Sequence, residues 1–89
     1  MASFAAATCG DLLVTLEKKS DGIYSRRYSM TSGQPVAFSD NTTEKKVIQT
    51  SAEFAVVPMD QGLIAVILQT DRSFWLSRDA GESFEQIGG

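Results

Sequence analysis

The side chains that could perform chemistry in this sequence are carboxylates, hydroxyls and one thiol, because the chain has no histidine and a single cysteine, Cys9. Nucleophilic catalysis by serine or cysteine needs a base beside the nucleophile, and histidine usually supplies it. Cys9 follows a run of small apolar residues, which is typical of a small buried hydrophobic side chain. We therefore predict that the chain is not an enzyme and has no catalytic residues.

Three carboxylates in the C-terminal part, Asp71, Asp79 and Glu82, are the remaining candidates for chemistry. Calcium takes about six to eight oxygen ligands, which a dedicated loop usually supplies, and the sequence around these residues contains no such loop. A pair of carboxylates can hydrolyse a glycosidic bond, but acidic residues in surface turns are usually solvated. The sequence predicts no metal site and no cofactor.

The elements that must position these side chains are predicted to be short β-strands. No segment keeps an apolar stripe at helical spacing for three turns, whereas β-branched and aromatic residues recur in short runs between turn-forming clusters. The predicted fold class is all-β, with short antiparallel strands arranged like propeller blades or as a small sandwich or barrel. The predicted strands span residues 4–7, 12–17, 22–30, 35–38, 45–50, 54–57, 63–70, 74–77 and 83–87.

One part of a predicted strand, residues 63–68, is apolar at every position: Leu-Ile-Ala-Val-Ile-Leu. A strand with one solvated face alternates between apolar and polar residues, whereas a strand covered on both faces is a continuous apolar run. The sequence therefore predicts that this strand lies in the middle of a sheet and is covered on two sides.

The most specific pattern is the octapeptide of residues 77–84, Ser-Arg-Asp-Ala-Gly-Glu-Ser-Phe. It resembles the Asp-box hairpin of sialidase-type and sortilin-type β-propellers, and residues 54–89 as a whole resemble one blade of such a propeller. In these families the Asp-box lies away from the substrate face. The resemblance therefore implies a structural role for the octapeptide and argues against catalysis.

The chemistry of the octapeptide suits a lock on a hairpin. The short Asp79 side chain can accept hydrogen bonds from backbone amides of its own turn, and Gly81 can adopt a positive φ that other residues resist. The two serines can tie the strand ends together, and the phenylalanine can pack beneath the turn. The predicted structural residues are Ser77, Asp79, Gly81, Ser83 and Phe84.

The chain resembles itself when it is shifted by 52 residues. The matches fit either a duplication, with segments at 2–53 and 54–89, or a chance similarity between strand-turn-strand patterns. In the first segment, Arg27 and Ser29 stand where the octapeptide has its Asp and Gly, so any first Asp-box is degenerate. The identical pairs are Gly10 and Gly62, Val14 and Val66, Leu16 and Leu68, Ser25 and Ser77, and Arg26 and Arg78.

The overall charge restricts the possible partners. The net charge of −3 and the isoelectric point near 4.7 argue against nucleic acid, because binding to phosphates needs clustered Lys and Arg. The longest apolar run is too short to span a bilayer, and the N-terminus lacks the basic region and long apolar run of a signal peptide. We expect no membrane contact, synthesis in the cytoplasm and a mature N-terminus.

The charge is unevenly divided between the two halves of the chain. Residues 1–50 carry six basic and five acidic side chains, and residues 51–89 carry two basic and six acidic ones. Three basic pairs in the first half either face solvent and protect strand edges or meet the acidic half of a neighbouring copy. These pairs are Lys18-Lys19, Arg26-Arg27 and Lys45-Lys46.

Residues 1–89 are predicted to form one domain that gains stability from a partner. A chain of this size buries only about two-thirds or less of the surface that it exposes when unfolded, and a single cysteine cannot form an internal disulfide. If the chain supplies fewer than two propeller blades, a closed ring needs several copies, and a cyclic trimer is the simplest solution. We expect a homo-oligomer, with a trimer favoured.

Two functions suit a small β-protein without catalytic groups. The first is a structural or assembly protein that acts through protein–protein surfaces, such as a capsid-decoration, cement or tail-associated protein of a phage virion. The second is a lectin-like module of an oligomeric propeller, in which aromatic rings stack on a glycan. The aromatic residues predicted to contact a ligand or a subunit interface are Tyr24, Tyr28, Phe74 and Trp75.

Overall fold

The computed structural model of the chain describes residues 3–58, 63–68 and 72–88. These residues form eight β-strands and no helix, which confirms the prediction of an all-β fold. Among them there is consequently no helix with the length and apolar character needed to cross a membrane. The strands are β1 (Phe4–Cys9), β2 (Leu12–Lys19), β3 (Gly22–Ser29), β4 (Lys45–Ile48), β5 (Phe54–Pro58), β6 (Ile64–Leu68), β7 (Ser73–Ser77) and β8 (Glu85–Gly88).

The strands form two antiparallel sheets that follow the order of the chain. β1 to β4 make the first sheet and β5 to β8 make the second, so strands that are neighbours in sequence are neighbours in space. The boundary between the sheets lies in residues 49–53, next to the boundary between the two similar sequence segments. Tight turns join the first three strands, because Cys9 pairs with Leu12 and Lys19 pairs with Gly22.

The strand predicted at residues 35–38 is wrong, because these residues belong to the loop between β3 and β4. Pro35 lacks the N–H that a β-ladder needs, and it makes only an isolated bridge with Tyr28. A backbone hydrogen bond of 2.8 Å from Val36 N to Arg27 O fastens the loop to the end of β3. The apolar residues of this segment therefore pack beside the sheet without extending it.

One face of each sheet, the inner face, packs against the other sheet. Side chains alternate across a strand, so every second residue of the central strands points inward. Burying a branched aliphatic or aromatic side chain contributes about 1.5 to 3 kcal/mol, which makes this cluster the main source of stability. The least exposed inner residues are Val14, Leu16, Ile23 and Ile48 in the first sheet and Phe54, Ile64, Val66 and Leu68 in the second.

The apolar strand β6 lies in the middle of the second sheet but is covered on one face only. Its three inner side chains are buried, whereas Ala65 and Ile67 on the opposite, outer face are only half-buried. The prediction of a strand covered on two sides is therefore wrong for a single copy of the chain. Residues 69–70, the end of the strand predicted at 63–70, lie outside the described residues.

Two contacts hold the sheets close together. β1 lies beside β5, and the turn between β7 and β8 places Gly81 against the inner face of the first sheet. A Cβ atom at Gly81 would lie 2.6 Å from Val14 Cγ1 and 2.9 Å from Ser25 Oγ, and the residue has a φ of +84°. Both the backbone conformation and the lack of space therefore require glycine at this position.

Gly81→Ala is expected to destabilise the protein more than Gly33→Ala. Gly33 also has a positive φ, of +75°, but a Cβ atom there would have no described atom within 4 Å. The left-handed conformation alone costs a residue with a side chain about 1 to 2 kcal/mol, and overpacking adds about 1 to 3 kcal/mol at Gly81. Urea denaturation measures both losses, and equal losses would contradict the close packing of the turn.

Candidate functional site

Residues 77–84 form the turn that joins β7 to β8, the Asp79 turn. Asp79 Oδ1 accepts hydrogen bonds of 2.9 Å from Ser83 N and from Ser77 Oγ, and Asp79 Oδ2 accepts one of 2.6 Å from Ser83 Oγ. Ala80 and Gly81 reverse the chain with φ values of +56° and +84°. A single carboxylate thus ties the end of β7 to the residues that lead into β8.

The hydroxyl group of Ser77 completes the turn from the inside. Ser77 is fully buried; its Oγ donates to Asp79 and accepts the N–H of Gly81 at 2.9 Å. A buried hydroxyl without partners would cost free energy, and Ser77 uses its hydroxyl both as donor and as acceptor. Ala80 and Phe84 pack against the core between the sheets, so apolar contacts anchor the same turn.

The pKa of Asp79 is lowered although its carboxyl group is partly buried. Desolvation by burial would raise this pKa, but the hydrogen bonds from the side chain and backbone of Ser83 and from Ser77 together lower it by more. The carboxylate is therefore held in the charged form, which accepts hydrogen bonds most strongly. Its oxygens are engaged by its own turn, which suits a structural role.

Glu82, in the same turn, connects the second sheet to the first. Its carboxylate lies 3.7 Å from the Arg27 guanidinium and 3.9 Å from Lys45 Nζ. It also accepts hydrogen bonds from the backbone N–H and the hydroxyl of Ser39. The side chains of Arg27 and Glu82 are only 13% and 19% exposed, so water screens their attraction less than it would on an open surface.

Arg27 is enclosed by the loop that precedes β4. Its Nη2 donates to Ala37 O at 2.9 Å, and its guanidinium carbon lies 4.5 Å from the centre of the Phe38 ring. A poorly exposed guanidinium needs a counter-charge, and Glu82 provides it. The sequence interpretation missed this role, although the alternation of β3 places Arg27 on the same inner face as Ile23.

Three other basic residues of the first half also find acidic partners, in the loops next to the same sheet. Lys19 and Arg26 lie 3.0 Å and 3.1 Å from the Glu44 carboxylate, and Lys46 lies 3.4 Å from Asp21. The hydrogen bond from Lys19, opposed by desolvation and aided by Arg26, lowers the pKa of Glu44. Exposed ion pairs contribute about 1 kcal/mol or less each. The basic pairs of the first half are thus partly neutralised within that half of the chain.

Strand pairing corrects the alignment of the two similar segments. Leu12 and Ile64 are 52 residues apart, but their cross-strand partners are Ser29 and Ser77. The constant shift of 52 residues aligned Ser77 with Ser25, because it ignores that the β2–β3 hairpin is longer than the β6–β7 hairpin. The counterpart of the Asp79 turn in the first sheet therefore begins at Ser29, four residues later than the shift placed it.

The turn that begins at Ser29 repeats part of the chemistry of the Asp79 turn. Ser29 Oγ accepts hydrogen bonds of 3.2 Å from Thr31 N and from Ser32 N. Gly33 has a φ of +75° and stands four residues after Ser29, as Gly81 stands after Ser77. The Asp of the octapeptide is replaced by Thr31, whose hydroxyl donates to Asp11.

The described residues show no grouping of three or more Cys, Asp or Glu side chains that could hold a metal ion. Cys9 is buried, and burial raises the pKa of its thiol, which disfavours the reactive thiolate. Asp71, one of the three candidate carboxylates, lies outside the described residues. Asp79 and Glu82 are both engaged in contacts that join strands and sheets.

The four aromatic residues predicted to contact a ligand or an interface lie in three places. Tyr24 and Tyr28 share the outer face of the first sheet, and Phe74 lies on the outer face of the second sheet with 45% of its surface exposed. Trp75 points to the inner face, packs against the core and donates from Nε1 to Ser73 Oγ at 3.0 Å. Trp75 therefore packs within the single chain, and its contact with a ligand or a subunit interface stays a prediction.

Tyr24 and Tyr28 line an open groove of about 360 Å³ on the outer face of the first sheet. The groove combines aromatic rings with charged and hydroxyl groups, which neither the core nor the Asp79 turn uses. Its other lining residues are Phe4, Thr15, Glu17, Arg26 and Glu44.

Comparison with known proteins gave no match to a protein-family model, a curated protein or a solved structure. The relation of residues 77–84 to the Asp-box therefore stays a prediction, which the hydrogen bonds of Asp79 support. The function has to be inferred from the geometry of the described residues.

Asp79→Ala is expected to lower the free energy of unfolding by about 1 to 3 kcal/mol, because the N–H and hydroxyl of Ser83 lose their acceptor. Asp40→Ala is the matched control, since Asp40 accepts the same two groups from Thr42 in an exposed loop. Its effect should stay within about 0.5 kcal/mol. Urea denaturation at neutral pH compares the two variants, and similar losses would contradict a special role for Asp79.

The loss caused by Asp79→Ala should shrink in acid. Because the pKa of Asp79 is lowered in the folded protein, its contribution is complete above the unfolded value of about 3.9 and disappears as the pH falls through the folded value. The difference in unfolding free energy between wild type and variant should be constant between about pH 5 and pH 8. A difference that grew on acidification would show that Asp79 is not stabilised as a carboxylate.

Glu82→Gln is expected to cost about 1 to 3 kcal/mol, because it leaves the Arg27 guanidinium, 13% exposed, without its counter-charge. Glu85→Gln is the matched control. It removes an ion pair of 3.2 Å with Arg78 in which both side chains are more than 60% exposed, so its effect should be below about 1 kcal/mol. If urea denaturation gave equal losses, the contact between the sheets at Glu82 would be no stronger than a surface ion pair.

Proposed function

We propose that this chain is a non-catalytic assembly protein that acts through protein–protein contacts of its second sheet. The observation that carries the proposal is the outer face of that sheet, which is apolar and leaves Phe74 45% exposed and Val57 44% exposed in a single chain. Self-association through this face would also supply the additional burial that a chain of this size needs.

The outer face of the second sheet is apolar across three neighbouring strands. Strand pairing places Ile67 between Ala55 and Phe74, and it places Val57 beside Ala65. The side chains of Phe74 and Val57 are 45% and 44% exposed. Soluble monomers rarely leave large contiguous apolar patches in water, and the continuous apolar run of β6 is typical of a strand covered on both faces.

Charged side chains border this face at the β7–β8 end. Glu85 is paired with Leu76 across the strands and forms an ion pair of 3.2 Å with Arg78. An apolar centre with a polar, solvated rim is the usual composition of a protein–protein interface. The distribution of side chains on the second sheet therefore suits a protein partner.

A second copy of the chain is the partner that the charges favour. The outer face of the first sheet carries Glu17, Arg26 and Glu44, and covering them with an apolar surface would remove charges from water at a cost in free energy. The outer face of the second sheet can instead meet the same face of another copy without that cost. Two copies would then pack face to face about a twofold axis, the commonest symmetry of soluble oligomers.

The ring of three copies favoured by the sequence is the competing arrangement. In this ring, each copy would use the outer face of its second sheet to cover the first sheet of the next copy, on the outer face of that sheet. Phe4 lies on the latter face and is 59% exposed, so substitutions at Phe4 and Phe74 distinguish the two arrangements. A larger particle, such as the phage virion predicted from the sequence, would incorporate either oligomer as a structural component.

Light scattering coupled to size-exclusion chromatography, over a range of concentrations, tests the proposal. We expect the mass of two chains, and we expect Phe74→Glu to give the mass of one chain because its charge would have to be desolvated at the interface. Phe4→Glu is the matched control: it changes an exposed phenylalanine on the other outer face and should leave two chains together.

The measured masses distinguish a single chain, the face-to-face pair and the ring. A single-chain mass for the wild type at all concentrations would overturn the proposed self-association. A mass of three chains that both substitutions abolish would replace the face-to-face pair with the ring. Circular dichroism of the two variants shows whether the fold is intact, so that a change of mass can be assigned to the interface.

A further inference from the structure

The groove on the outer face of the first sheet is used neither by the Asp79 turn nor by the proposed interface of the second sheet. We infer that this groove binds a short, neutral carbohydrate. The inference goes beyond the assembly function and does not depend on it, because the groove and the apolar face lie on opposite outer faces of the two sheets.

The register of the strands arranges the lining side chains in rows. Phe4 on β1, Glu17 on β2 and Tyr24 on β3 are cross-strand partners and form one row. In the next row on the same face, Thr15 of β2 is opposite Arg26 of β3. Neighbouring strands lie about 4.8 Å apart, so side chains in one row can contact the same ligand.

The height of the side chains gives the groove its shape. The floor contains the small residue Thr15, and the cross-strand partner of Thr15 on β1, Ala6, is also small. Phe4 and Tyr24 rise at one end, and Tyr28 rises at the other. A strand advances about 3.4 Å per residue, so Tyr24 and Tyr28 are about 14 Å apart along β3. The depression between the aromatic ends is therefore long enough for a short oligosaccharide.

The side chains in the groove combine the two interactions that a sugar ring needs. The apolar C–H face of a pyranose packs against an aromatic ring, while its hydroxyl groups need donors and acceptors at fixed positions. Glu17 offers a carboxylate acceptor, and Arg26, between the two tyrosines on β3, offers a planar set of donors. Thr15 adds a hydroxyl at the floor.

The balance of charge in the groove favours a neutral ligand. Arg26 and Lys19 both lie against Glu44, at 3.1 Å and 3.0 Å, so this carboxylate offsets one of the two positive charges, and the Glu17 carboxylate in the same groove balances the other. Among the described residues Glu17 has no ion-pair partner, and its charge would repel an anionic ligand. A phosphate or sulfate would need a clustered excess of cations, which these lining residues do not provide.

The ring of Tyr24 is held in place before any ligand arrives. Its hydroxyl lies 2.9 Å and 3.1 Å from the two carboxylate oxygens of Asp21, and Lys19 Nζ lies 4.6 Å from the centre of the ring. A side chain that is already ordered loses less conformational entropy on binding. The groove therefore presents at least one aromatic ring in a fixed position.

A glycan array that carries neutral, sialylated and sulfated glycans tests the inference, followed by calorimetric titration with the best-retained glycan. We expect neutral glycans to be retained and anionic ones to be rejected. Tyr24→Ala and Tyr28→Ala should each weaken binding by about tenfold or more, equivalent to about 1.4 kcal/mol. Ile87→Ala is the matched control, because it removes an apolar side chain that is 57% exposed on the edge strand β8, away from the groove, and should bind like the wild type.

Three results would overturn the inference: no retention of any neutral glycan, retention of sulfated or sialylated glycans only, or titrations in which both tyrosine variants bind as tightly as the wild type. If either tyrosine variant fails to fold, Thr15→Trp replaces it, since a large side chain on the floor should block the groove.

Light scattering on the same samples distinguishes a failure of this inference from a failure of the proposed assembly function. Glycan binding by a single chain would retain this inference and reject the assembly function, and a two-chain protein that binds no glycan would do the reverse.

Discussion

Gly81 brings the turn of the second sheet into contact with the inner face of the first sheet at Val14, and the ion pair of Glu82 with Arg27 follows from this approach. Once the backbone is seated there, Asp79 closes the turn with hydrogen bonds, and Glu82 comes within reach of Arg27. A larger residue at position 81 would lift the turn and move Glu82 away from a guanidinium that has little access to water. Packing, turn conformation and ion pairing are therefore coupled, because all three need the same close backbone contact.

The features that the sequence predicted correctly are local. Short runs of β-branched and aromatic residues located all eight described strands approximately, and all the hydrogen bonds of Asp79 come from residues within the octapeptide. The strand predicted at residues 35–38 failed because alternation alone does not reveal that Pro35 interrupts the ladder. The correct predictions rested on interactions inside one segment, whereas the wrong one overlooked the missing N–H of a proline that the segment itself contains.

The candidate site was less accessible to sequence analysis, because its contacts join distant parts of the chain. Glu82 and Arg27 are separated by most of the chain, and nothing in either local sequence identifies the other as its partner. The groove needs the register of β1, β2 and β3, which alone brings Phe4 beside Glu17 and Tyr24. For the same reason, the shift of 52 residues aligned β2 with β6 but placed Ser25 against Ser77, since a difference in hairpin length changes register without changing composition.

The outer faces of the two sheets suit different kinds of binding partner. The face with Phe74 is stabilised only when water is excluded over a large area, whereas the groove with Tyr24 and Glu17 keeps its charges hydrated and suits a small ligand. One partner cannot satisfy both faces well. If two copies join through their second sheets, the grooves of the pair remain uncovered on its two outer sides. Binding of one glycan would then raise the effective concentration of a second on the same surface, so that two individually weak sites would hold a multivalent target far more tightly than one.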